Sequence, residues 1–129
     1  MTDALLLDTC ALLWLASGDR ALSAKARSLI ENAPVVYVSP VTAWEIAVKA
    51  SKGKIQLPIS PREWFDSVVE MYGIDVLKLS ADDMLKSAEL PWLHKDPADR
   101  FIIATALKNG FMVVTADGNF GKYGVKTIC

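Results

Sequence analysis

One pattern constrains this chain more than any other: a short apolar run, closed by a polar residue, gives way to a helix-length segment, and the cycle repeats. Ala4 to Leu7 is broken by Asp8 and Thr9, after which Ala11 to Ala16 reads as a helix stopped by Ser17, Gly18 and Asp19. Ser23 is placed to cap a helix running to about Asn32, and Val35-Val36-Tyr37-Val38 has the β-branched and aromatic character of a buried strand. Ser39-Pro40 restarts a helix over about 40–52, with Val41, Trp44 and Val48 on one face and Ala43, Ile46, Ala47 and Ala50 around much of the rest, so the helix is expected to be largely buried. Ser60-Pro61-Arg62-Glu63 predicts a capping box opening a helix that Gly73 closes. Ile74 to Leu79 predicts a strand, and Ser80 opens a helix that yields at Leu90-Pro91. The irregular PWLHKDPADR stretch leads into a strongly apolar helix from Pro97 to Lys108, ended by Asn109-Gly110. Strands are expected at Phe111 to Thr115 and Val125 to Ile128.

Parallel strands need helix-length crossovers, and those helices cover both faces of the sheet. The expected architecture is therefore a three-layer α/β/α sandwich with a central parallel sheet, one domain over residues 1–129. Apolar residues at 52% against 22% charged suffice for a continuous core. Fourteen Lys plus Arg against fifteen Asp plus Glu leave a net charge of −1, which excludes a polybasic nucleic-acid binder and requires any such contact to be local. Cys10 and Cys129 stand near opposite ends, with no zinc or disulfide spacing. The start, MTDALLLDTCALLWLA, lacks a positive n-region and carries Asp8 in mid-run, so a cytoplasmic chain with neither export signal nor membrane anchor is expected.

In open parallel sheets ligands bind beyond the carboxyl ends of the strands. Asp8 follows Leu5-Leu6-Leu7 directly and Asp117 follows Val113-Val114-Thr115-Ala116, so neighbouring strands would bring the two carboxylates together. Each also fits the plainer role of a helix or turn cap. Glu45 lies in a helix of Val, Ala, Trp and Ile; it either pairs with Lys49 four residues on or needs a cation to offset its desolvation. In Asp96-Pro97-Ala98-Asp99 the first acid fits the N-cap, while the second falls in the first helical turn, free to face the strand ends. An oxygen-rich cluster of this kind selects a hard cation such as Mg²⁺ or Mn²⁺. His94 is the only histidine, and a histidine-based acid–base scheme would rest on that one loop residue.

LLLDTCALLW, SPVTAWEIAVK, DPADRFIIATAL and VVTADGNF, in this order and at these separations, resemble the four acidic segments of the PIN-domain ribonucleases, in particular the VapC-type toxins of toxin–antitoxin pairs. The resemblance covers essentially the whole chain. It implies that Asp8, Glu45, Asp99 and Asp117 form a Mg²⁺ or Mn²⁺ site, with Thr9 and Thr115 orienting the first and last carboxylates. It also implies hydrolysis of RNA phosphodiester bonds, a cognate antitoxin and a homodimer. Two departures stand out: Asn119 replaces a further acid found in many relatives, so a second metal is not implied, and Ala98 replaces an Asn common before the third acid. Lys49 and Arg100 are candidate phosphate contacts, and Trp92 a candidate base-stacking residue.

Two other functions fit a chain of this length. A receiver-like phosphoacceptor domain would need an acidic pair at the first strand and an acceptor Asp after the third, where this chain has Asp8-Thr9 and Ser80. A PIN-like domain that binds RNA or a partner without cutting shares every motif above.

Overall fold

The computed structural model describes residues 4–129. Five parallel strands, β1 (Leu5–Leu7), β2 (Val36–Val38), β3 (Asp75–Val76), β4 (Met112–Val114) and β5 (Thr127–Ile128), form one sheet in the order β3-β2-β1-β4-β5. The helices are α1 (Thr9–Ser17), α2 (Ala24–Asn32), α3 (Pro40–Ser51), α4 (Pro61–Met71), α5 (Ala81–Glu89) and α6 (Pro97–Asn109), with a 3-10 turn at Phe120–Tyr123. This is the expected α/β sandwich, and its strand order differs from the 2-1-3-4-5 order of receiver domains.

The two-residue period of a strand builds the layers. Leu5, Leu7, Val36, Val38 and Val114 face Leu12, Leu15, Ile30, Trp64 and Val68 from α1, α2 and α4. Leu6 and Val113 face the other way, onto Ile102 and Ile103 of α6 and Phe120. With β2 and β4 on its edges and the two packed layers on its faces, β1 is enclosed on all sides, which is why all three leucines are buried.

Local chemistry sets the boundaries. Ser23, Ser39, Ser60 and Ser80 each cap the helix that follows, and Ser80 with Asp83 closes a full capping box. At Ser60 the box is incomplete, because Glu63 meets the Ser60 hydroxyl rather than its backbone N–H. Gly110 ends α6 in the left-handed conformation at φ 72°, a position where a side chain would strain the backbone. The expected strand at Ile74 to Leu79 shrinks to Asp75–Val76, an exposed edge with a neighbour on one side only.

Helix α3 is less buried than expected. Trp44 is 60% exposed, and the buried residues of α3 are Val41, Thr42 and Ile46. In a helix rich in alanine the apolar residues wrap most of the cylinder, so periodicity does not select the stripe that α1, α4 and α6 pack against. Among the described residues no helix is long and apolar enough to cross a membrane.

Candidate active site

The register of the sheet builds the site. Leu7 pairs with Val114, and the Asp8 N–H donates to the Val114 carbonyl at 3.1 Å, so the residues that leave β1 and β4 emerge side by side. Asp8 Oδ1 then accepts from the Ala11 N–H at 2.8 Å, which starts α1 at Thr9, two residues before the helix expected from the sequence. Capping and site geometry thus coincide in one residue. The Thr115 hydroxyl hydrogen-bonds the Asp8 carboxyl and accepts from the Asp117 N–H at 3.1 Å, tying the first and last acids together. Thr9 is placed differently from the expectation: its hydroxyl is paired with that of Thr42 at 3.1 Å. That buried bond locks α1 to α3 one turn from Glu45, so Thr9 sets a helix rather than a carboxylate.

Burial pushes the Asp8 carboxyl above its ordinary value, Glu45 and Asp117 push it further, and the bonds from Thr115 and Ala11 oppose them. Asp99, delivered by the first turn of α6, is raised to about 7, first by burial and then by Asp96, with Asp8 and Glu45 adding to it and His94 opposing. Glu45 and Asp117 thus act on Asp8, and Asp8 and Glu45 act on Asp99. Burial also acts to raise Asp117, but the Asn119 backbone N–H at 2.9 Å from Oδ1, together with His94, holds it below its ordinary value.

Glu45 shows most directly what the cluster lacks. Its Oε2 pairs with Lys49 Nζ at 3.1 Å, whereas Oε1 is buried with no hydrogen-bond partner among the described residues. A buried orphan acceptor costs about 1–3 kcal/mol, more when charged. An orphan oxygen whose charge is felt by Asp8 and by the proton-retaining Asp99 is an arrangement that a hard cation with oxygen ligands relieves. The i,i+4 pair with Lys49 read from the sequence is present, and it leaves the second oxygen unpartnered.

His94 carries more of the site than its sequence context suggests. Its Nε2 lies 2.8 Å from Asp117 Oδ2 and 3.0 Å from Asp99 Oδ2, and ligand atoms of the three residues fall within 4.8 Å of one another. A residue in an irregular stretch has no periodicity to reveal where it points; the one available signal is its position two residues before the cap of the helix carrying Asp99. Arg100 corrects another expectation. It is 3% exposed and donates to the carbonyls of Ser87, Leu90, Pro91 and His94 at 2.8, 2.9, 3.1 and 3.0 Å, so it clamps the 87–94 segment and has no free face for a phosphate. Trp92, 70% exposed, covers the guanidinium at 3.7 Å. Lys49 stays at the rim, half-buried on Glu45.

The raised acids carry a thermal signature. Because Asp99 holds its proton to about pH 7 in the fold and to about 4 in the unfolded chain, the native state binds more protons between those values, and stability falls as pH rises through 7. The melting temperature of the cation-free protein is expected to drop between pH 6 and 8, and Mg²⁺ to raise it more at pH 8 than at pH 6. Differential scanning fluorimetry checks this; equal Mg²⁺ shifts at both values would contradict it.

The PIN domain family matches residues 5–126. Ribonuclease VapC22 of Mycobacterium tuberculosis is 31% identical over 113 residues, covering 87% of this chain and 85% of its own. A chain of the VapBC2 complex from Rickettsia felis, solved bound to a promoter DNA fragment, superposes with a TM-score of 0.69 at 15% identity over 97% of both chains. Mycobacterium tuberculosis VapC20, a sarcin-ricin loop cleaving toxin, superposes at 0.61 with 21% identity over 94% of this chain and 95% of its own. The two structures speak for the fold; the family match across nearly all of the sequence, and a relative of 31% identity, speak for descent. This chain belongs to the PIN-domain family, among its VapC-type ribonucleases.

Proposed function

We propose that the protein is the ribonuclease toxin of a VapBC-type toxin–antitoxin pair, hydrolysing RNA phosphodiester bonds with one Mg²⁺ or Mn²⁺ held by Asp8, Glu45, Asp99 and Asp117. The observation that carries this reading is the buried, unpartnered Oε1 of Glu45, whose charge acts on the Asp8 and Asp99 carboxyls. A bound divalent cation supplies charge neutralisation at a non-bridging phosphate oxygen and acidifies the attacking water. The protein's own contribution is position. Thr115 fixes the Asp8 carboxyl, the Thr9–Thr42 bond fixes α3 under Glu45, and the low-lying Asp117 stays ionised to orient the water. Lys49, at the rim, offsets part of the cluster's charge for an approaching phosphate.

A cluster of carboxylates also suits a cationic segment from a protein antitoxin, whose Arg or Lys would gain charge-assisted hydrogen bonds there. A homodimer would cover exposed apolar side chains such as Leu85 and Leu107. Expression of the chain alone is expected to arrest growth, while expression of Asp8→Asn is not, and co-expression with the adjacent small gene should restore it. Harmless expression of an RNA-cleaving protein, with no partner recovered on pull-down, would overturn the toxin role and leave the nuclease chemistry standing.

A further inference from the structure

We infer that His94 is a positioning residue of this site: its Nε2–H bridges Asp99 Oδ2 and Asp117 Oδ2, holding the two carboxylates side by side for the cation without binding the cation itself. The inference rests on the assignment of Asp99 and Asp117 as cation ligands. Its first support is the state of the ring. The Asp96 backbone N–H donates to Nδ1 at 3.3 Å, so Nδ1 is the acceptor nitrogen and the ring proton sits on Nε2. A protonated Nε2 has no lone pair for a metal. A ligating imidazole normally shows the reverse arrangement, its distal nitrogen donating to a carboxylate or carbonyl.

The second support is how firmly the ring is held. The His94 carbonyl accepts from Arg100 Nη1 at 3.0 Å and its N–H donates to the Tyr123 hydroxyl at 2.9 Å. Tyr123 in turn donates to the Pro91 carbonyl at 2.6 Å. The ring meets Phe120 edge-on, with centroids 6.1 Å apart. Loop 91–96 is thus gripped by a buried Arg, a Tyr and a core Phe, and the side chain it presents meets two acids that converge from α6 and from beyond β4. Two carboxylates so close would otherwise splay apart; one donor between them fixes their spacing before a cation arrives. Partners behind a ligand commonly set metal affinity by about ten- to hundredfold.

The test uses the full chain and Mn²⁺ alone, with binding read by electron paramagnetic resonance for wild type, His94→Phe and His94→Gln, and melting temperatures measured beside it. Affinity is expected to fall about ten- to hundredfold in His94→Phe, which keeps a ring without the donor, and to recover in His94→Gln, which keeps an N–H. Pulsed spectra of wild type should show no directly bonded imidazole nitrogen. A directly bonded nitrogen would make His94 a ligand and overturn the inference, whether or not either variant folds. Wild-type affinity in a folded His94→Phe, or equal losses in both variants, would overturn it too while the cation site stands. Failure of wild type to bind Mn²⁺ would remove the cation site, and the inference with it.

Discussion

Asp99→Asn is expected to lower RNA cleavage by about a hundredfold or more while leaving the melting temperature unchanged or higher. Even the partners behind a metal ligand commonly cost about ten- to hundredfold, and Asp99 is assigned to the ligand set itself. The stability of α6 does not depend on it, because the helix is capped by Asp96, whose Oδ1 accepts from the Asp99 N–H at 3.0 Å. Removing its charge also removes a carboxylate that burial, Asp96, Asp8 and Glu45 all hold toward the protonated form. Asp96→Ala should behave in the opposite way, losing about 1 kcal/mol of stability with the cap and retaining cleavage. Loss of cleavage in Asp96→Ala at unchanged melting temperature, with Asp99→Asn active, would exchange the two roles.

Arg100→Ala is expected to destabilise the fold more than Asp96→Ala or Asp99→Asn, by about 3–5 kcal/mol, a fall in melting temperature on the order of 10–20 °C. The carbonyls of Ser87, Ala88 and Leu90 are at the C-terminal end of α5, where the last turn leaves its acceptors unpaired and the helix dipole is negative. A guanidinium placed across that end satisfies them, then reaches on to Pro91 and His94. One cation therefore caps α5 and holds the loop that presents His94, with no carboxylate involved. Arg100→Lys should recover only part of the loss, since a single ammonium cannot span acceptors arranged around a planar fork. Thermal or urea unfolding of the three proteins checks this, and an Arg100→Ala protein within about 1 kcal/mol of wild type would contradict it.

The order of elements, the parallel sheet and most helix caps are legible in the sequence because each depends on a few adjacent residues. Ser-Pro at 39–40, Asp-Pro at 96–97 and Asn-Gly at 109–110 all mark the boundaries they suggest. Asp8 and Asp117 are legible for a related reason: a charge directly after a buried strand has one place to go in an open parallel sheet. Asp99 and Glu45 need more, since a first-turn acid and an i,i+4 ion pair are ordinary surface features. In Glu45 the ion pair is present and the second oxygen is left buried without a partner. What stays hidden depends on long-range packing. Trp44 faces outward against its sequence pattern because an alanine-rich helix offers several apolar stripes, and only the packing of α1, α4 and α6 chooses among them. His94, Trp92 and Arg100 share a loop and a helix start whose geometry is set by a cation that reaches back from α6 to cap the end of α5, a relation that no sequence period encodes.

The most direct measurement of the central claim is cleavage of total RNA by the purified chain, stripped of metal, with EDTA or with added Mg²⁺ or Mn²⁺. The proposed cation site of Asp8, Glu45, Asp99 and Asp117 predicts no cleavage in EDTA, restoration by Mg²⁺ or Mn²⁺, and no restoration by Ca²⁺, whose looser coordination suits such a site less well. Equal cleavage with and without EDTA would contradict the cation mechanism, and tight RNA binding without cleavage under every condition would mark the protein as a PIN domain that holds RNA and does not cut it.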